Sequence, residues 1–171
     1  EELFKDLRRS ILSNTSSLKE TFPELLSFQS ALALQCFTNE YIYSHTEKEE
    51  KILESLDASV EKAFKKNEQP SPQAILALAS YKALNEYDWC KLLVATDHTK
   101  EVFTRQIEEP LKEKDLKLNI PILGEITNKV SSEVRTQYEE NPYPRWVNVG
   151  LPLRSYSILE VVDKKNLRLH D

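Results

Sequence analysis

The stretch Leu25-Leu26-Ser27-Phe28-Gln29-Ser30-Ala31-Leu32-Ala33-Leu34-Gln35-Cys36-Phe37-Thr38-Asn39-Glu40-Tyr41-Ile42-Tyr43 decides the fold. It is the most apolar run of the chain, and its apolar residues wrap more than one helical face. A helix of that kind needs neighbours on several sides. Its length invites a membrane reading, but Ser27, Gln29, Ser30, Gln35, Thr38, Asn39 and Glu40 would be left unpaired in hydrocarbon. We therefore read it as the central buried helix of a bundle, running to about Ser44. Gln35 and Asn39, four apart, are its candidates for a polar network with neighbouring helices.

Helical spacing continues on both sides of this stretch. Leu3, Phe4, Leu7, Ile11 and Leu12 predict a first helix, closed by a polar run over 13–17. Ile52, Leu53, Leu56, Val60, Ala63 and Phe64 predict a third, whose other face of Glu49, Glu50, Glu54, Lys62 and Lys65 reads as solvated. Ser71-Pro72 opens a fourth, with a capping hydroxyl before a proline at the first helical position. Its apolar side is Ile75, Leu76, Leu78, Ala79 and Leu84. Asp88 reads as the cap of a short helix with Trp89, Leu92 and Leu93, and Thr99 as the cap of another through Val102, Phe103 and Ile107, limited by Pro110. Residues 111–123 read as a connector docked by Ile120 and Ile122. A last helix is predicted from about Asn128 to Glu140, with Val130, Val134 and Tyr138 at four-residue steps. No strand pattern of useful strength precedes 147, and the roughly 34-residue period of helical-hairpin repeats is absent. The fold class expected is all-α: an irregular helical bundle of about six to seven helices with an extended C-terminal tail. Residues 1–127 form the bundle domain, and 128–171 hold the last helix, a proline and aromatic linker and the tail.

Composition excludes several functions. The 171 residues contain two glycines, Gly124 and Gly150, where about twelve are usual for the length. Loops that cradle phosphate closely, of the Rossmann, Walker or kinase kind, are not present. Net charge is −5 with basic and acidic residues interleaved, which argues against nucleic acid as a partner. Hydrophobic residues at 40% and charged residues at 30% suit a folded chain. Cys36 and Cys90 sit in apolar helical patterns and read as buried reduced thiols, which suits a cytoplasmic protein. His45, His98 and His170 lack the spacing of zinc ligands, so no metal is expected. No basic segment followed by an apolar one marks a signal peptide. The chain opens on Glu1 and holds no methionine, and we read it as a processed or excised piece. Glu40, Glu139 and Glu140 have no partner base that would make them acid-base catalysts, and no catalytic residue is assigned.

One motif carries more. Residues 137–146 read Q-Y-E-E-N-P-Y-P-R-W. Pro142 bars the helical conformation for Asn141, and with Pro144 it stiffens the backbone into an extended form. Tyr143 and Trp146 then lie three apart on a preset chain, and Arg145 can stack on an aromatic face or pair with a carboxylate. Two uses are open: a packed elbow between domains, or a lid over a neighbouring ligand pocket.

The segment from Ser131 to Val147 resembles a signature just before the catalytic domain in bacterial S-adenosylmethionine-dependent methyltransferases that often carry N-terminal tetratricopeptide repeats. Residues 32–41 (L-A-L-Q-C-F-T-N-E-Y) and Glu108-Glu109-Pro110-Leu111 are similar to upstream parts of the same family. The family's strand and glycine-rich turn for the cofactor are missing from this chain. The resemblance implies a non-catalytic helical accessory domain that positions a protein substrate or regulates the enzyme. The S-adenosylmethionine then belongs to a downstream methyltransferase domain, and the partners are that domain, the upstream repeats and a protein substrate. By position, Tyr138, Tyr143, Arg145 and Trp146 would form the lid of the cofactor pocket. The alternative is a stand-alone helical module for protein-protein interaction, using a groove between helices.

Overall fold

The computed structural model describes residues 2–15, 22–121 and 128–140, with Ser157 and Glu160. The chain falls into two compact units, 1–125 and 126–171. The first holds α1 (Glu2–Thr15), α2 (Pro23–Thr38), α3 (Glu47–Lys65) and α4 (Pro72–Ala79), then 3-10 turns at Leu84–Glu86 and Cys90–Leu92. It continues with α5 (Lys100–Phe103), a π-helical turn at Thr104–Glu108 and α6 (Glu109–Leu118). The second holds α7 (Lys129–Glu140). The described residues contain no strand, and the protein is all-α. The expected extended tail lies outside the described residues.

The helix buried on all sides is α4, not α2. Every α4 residue from Gln73 to Ala79 is buried, and α1, α2 and α3 all pack on it. An eight-residue helix of this composition has no polar face to offer water, so three neighbours cover it. α2 buries Leu26, Gln29, Leu32, Ala33 and Cys36 as a single stripe and leaves Phe28 exposed. Cys36 and Cys90 are both buried and unpaired with each other.

Helix starts follow side-chain chemistry. Ser71 accepts from the Ala74 N–H at 3.3 Å with Pro72 behind it. Thr46 and Glu49 close a reciprocal capping box on α3, the Glu49 N–H donating to Thr46 Oγ1 and the Thr46 N–H to Glu49 Oε2. The end of α2 departs from the sequence expectation, whereas α3 ends where the loop from Asn67 was expected to end it. α2 stops at Thr38, six residues before Ser44, because Glu40 takes φ of 54°. The Glu40 N–H donates to Phe37 O at 3.0 Å and the Tyr41 N–H to Cys36 O at 2.9 Å, a Schellman closure with Glu where glycine is usual. α3 closes the same way on Asn67, φ 61°, with bonds to Phe64 O and Ala63 O. In a chain so poor in glycine, other residues take the left-handed positions, at roughly 1 kcal/mol or more for Glu40 and Tyr41 and less for Asn67.

Leu84 belongs to a 3-10 turn rather than to α4, yet it is buried. Trp89, not Asp88, precedes the turn at Cys90–Leu92. Thr99 does precede α5, but its hydroxyl serves the Thr96 N–H instead of a helix amide. Pro110 does not end its helix. It has no N–H for the Gln106 carbonyl four residues back and its ring crowds that oxygen. The turn widens, so that the Glu109 N–H reaches the Thr104 carbonyl five residues away, and the helix continues to Leu118. Residues 111–118 are therefore helical rather than a connector, and Ile120 is 67% exposed instead of docked. Ile122 lies outside the described residues.

Candidate functional site

Arg8 lies on the apolar face of α1, four residues before Leu12, and is only 2% exposed. A buried guanidinium needs acceptors. Its Nη2 donates to the carbonyls of Tyr43 and Ser44 at 2.9 and 3.0 Å, and its Cζ sits 4.0 Å from the ring centroid of Tyr81. Tyr81 in turn donates its hydroxyl to Glu49 Oε1 at 2.8 Å. Glu49 is also 2% exposed, and its other oxygen accepts from the Thr46 N–H and hydroxyl, each at 2.8 Å, with Arg9 Nε 3.6 Å away. Tyr81 thus joins a buried cation on its face to a buried anion at its hydroxyl.

This cluster straps down the loop between α2 and α3. The loop is further held by Tyr41, whose hydroxyl donates to Ala79 O, by Asn39, whose amide donates to the Tyr43 hydroxyl, and by Phe4 stacked on Tyr43 at 5.8 Å. The strap ends at His45, which bonds to Glu50 and meets the Tyr81 ring edge to face at 5.9 Å. Beside it opens a groove of about 270 Å³ lined by His45, Glu50, Leu53, Glu54, Asp57, Tyr81, Lys82 and Tyr87. Its far wall is fixed by the Trp89 indole, which donates to Asp57 Oδ1 at 2.7 Å and stacks on Tyr87 at 4.7 Å. The groove is acidic and aromatic, and its lining holds no serine, threonine or cysteine.

Burial alone would raise the Glu49 carboxyl, but bonds from the Thr46 backbone, the Tyr81 hydroxyl and the Thr46 side chain, with the Arg9 charge, hold it below the ordinary carboxylate value. A carboxyl lowered on folding adds stability that is present above about pH 4.3 and is lost as pH falls through the lowered folded value. Glu49→Gln should therefore cost about 1–2 kcal/mol near neutral pH and progressively less toward pH 3, measured as urea midpoints. Burial pushes the Cys36 thiol up, with Arg8 pulling partly against it, so that thiol stays protonated and unreactive.

Of the four residues expected to form a lid, Tyr138 lies on α7, exposed, on one stripe with Val130 and Val134. Tyr143, Arg145 and Trp146 lie outside the described residues. Gln35 is exposed and Asn39 bonds only locally, so the expected polar network of α2 is not theirs. The helix's buried amide is Gln29, and the interhelical bonds come from Gln106. Glu49, expected on a solvated face, is buried; the Thr46-x-x-Glu49 spacing was the signal for it. Arg8 had a signal too, its place on the Phe4, Leu12 stripe. Among the described residues no group of His, Cys, Asp and Glu is arranged to hold a metal ion, and no helix is long and apolar enough to cross a membrane. The chain matches no known family model, no curated protein and no solved structure.

Proposed function

We propose that this chain is the non-catalytic helical accessory part of a bacterial, cytoplasmic S-adenosylmethionine-dependent methyltransferase, positioning a protein substrate or regulating the enzyme. The observation that carries the reading is the Q-Y-E-E-N-P-Y-P-R-W motif, which begins within α7 and resembles the segment before the catalytic domain of that family. The exposed Val130, Val134 and Tyr138 stripe leading into it supports a docking role for this helix. The groove beside α3 sets three carboxylates against aromatic walls, a lining that suits binding. Nothing in the described residues provides the strand and glycine-rich turn that S-adenosylmethionine binding uses in such enzymes, so the cofactor is assigned to a downstream domain. Tyr138, Tyr143, Arg145 and Trp146 would close over its pocket.

Calorimetry of this chain with S-adenosylmethionine should show no saturable heat. In the protein extended through its methyltransferase domain, replacing Arg145 and Trp146 together with alanine should lower turnover about tenfold or more, through lost orientation of the cofactor. Unchanged cofactor affinity and turnover would overturn the lid. Tight cofactor binding by the present chain would overturn the assignment to a downstream domain.

A further inference from the structure

We propose that the groove between α3 and residues 81–87 binds the side-chain ammonium of a lysine presented by a partner protein. The groove stands apart from the methyltransferase reading and does not need it. Glu50, Glu54 and Asp57 line it from successive turns of α3, against Lys82 as the lining residue with a fixed positive charge. Glu50 is engaged by His45 and Asp57 by Trp89, each through one oxygen, while Glu54 is exposed and makes no ion pair among the described residues. The walls are the rings of Tyr81 and Tyr87 with Leu53, an apolar lining for a methylene stem beneath a charged head.

Tyr87 points to a ligand independently of the carboxylates. It is 9% exposed and its hydroxyl has no hydrogen-bond partner among the described residues. Burial first, then the charges of Asp57, Glu86 and Glu50, raise its ionisation well above the ordinary phenol range. The hydroxyl therefore stays protonated in the field of Asp57 and Glu50, which both line the groove, and has no hydrogen-bond partner of its own among the described residues. The ring has also shown what it accepts: Lys82 Nζ rests 4.8 Å from the Tyr87 centroid. That lysine is weakly held, with Glu86 at 4.0 Å and about half of its side chain exposed. The chain's own ammonium occupies the ring face as a displaceable stand-in. An ammonium, a compact point charge with three donors, can be shared by the single open oxygens of Glu50 and Asp57 together with Glu54, whereas a planar guanidinium fork finds both oxygens open on Glu54 alone.

The test is a titration of the protein with a short peptide carrying a single lysine, followed by amide NMR shifts at low salt. Shifts should concentrate at residues 50–57 and 81–87, and acetylation of that lysine should abolish them. Glu54→Gln should weaken binding about threefold or more and Lys82→Ala should tighten it by a similar factor. Both positions are exposed, so both variants fold. Glu68→Gln, an exposed loop change away from the groove, should leave the affinity as it is. The proposal is overturned by shifts centred elsewhere, by equal binding of the acetylated peptide, or by an equal loss in Glu68→Gln, which would mean general attraction to an acidic surface. It is also overturned if butylamine binds as tightly as the peptide, since the ligand would then be a small amine and not a protein.

Discussion

Arg8→Leu should destabilise the first unit by about 3–5 kcal/mol, the range for removing one member of a buried charge cluster. Two loop carbonyls, Tyr43 O and Ser44 O, lose their donor, and the Tyr81 ring loses the cation on its face. Glu49 then stays buried with less positive charge near it. Leucine is an apolar side chain that suits the neighbourhood of Cys36 and Tyr43, but it is too short to reach the two carbonyls and could not bond to them. Urea unfolding followed by far-ultraviolet circular dichroism measures the loss directly. Arg8→Lys keeps the charge and gives up the fork, so it should fall between wild type and Arg8→Leu. A loss under about 1 kcal/mol in Arg8→Leu would mean that the loop finds other donors, water among them.

The second large effect is at Gln106, which is 0% exposed in the π-helical turn. Its Oε1 accepts from the Leu84 N–H at 3.2 Å, and its Nε2 donates to Ala33 O at 3.3 Å and Ala79 O at 3.1 Å. One side chain thus satisfies α2, the C-terminus of α4 and the turn that follows it. Gln106→Leu leaves the Leu84 amide buried without an acceptor and should cost about 2–4 kcal/mol. Gln106→Glu separates shape from protonation. The ionised carboxylate still accepts from Leu84 but faces two carbonyl oxygens, and burial raises its folded pKa above the unfolded value. A raised carboxyl has its stability at low pH and loses it as pH climbs through the folded value. The gap between Gln106→Glu and wild type should be smallest near pH 4 and widest near pH 8. A gap independent of pH would show that shape alone, and not the proton on that oxygen, sets the junction.

A helix start was legible where a side chain makes the cap, as at Ser71, and was misread at Asp88 and Thr99, whose side chains cap no helix. Ser71-Pro72 and Thr46-x-x-Glu49 are side-chain caps, written in residue types that have few other reasons to stand at those spacings. The ends of α2 and α3 are made by backbone geometry at Glu40 and Asn67, and a glutamate in the left-handed region leaves no trace in periodicity. Pro110 misled because proline usually stops a helix, whereas one wide turn here absorbs it. The polar cluster was hidden by its setting. Glu49 stands beside Glu50 and Glu54 on a lysine-studded helix, and Arg8 beside exposed Arg9, so each looked like its solvated neighbours. Which of two adjacent charges turns inward depends on where the segment after α4 presents Tyr81, a contact more than thirty residues away in sequence from Glu49. The groove inherits that dependence, since its walls come from α3 and from the segment after α4.

The widened turn at Thr104–Glu108 also gives the helix a place where its length can change. Upstream, Val102, Gln106 and Ile107 are committed to the core; downstream, α6 buries no residue at all. Removing one residue near Glu108 would restore ordinary winding and leave Leu111 packed against the core, since the wide turn is where the extra residue is held. The turn therefore acts as a slack coupling, taking up insertions and deletions on the outward side while the register of the core, and of everything Gln106 ties together, stays as it is.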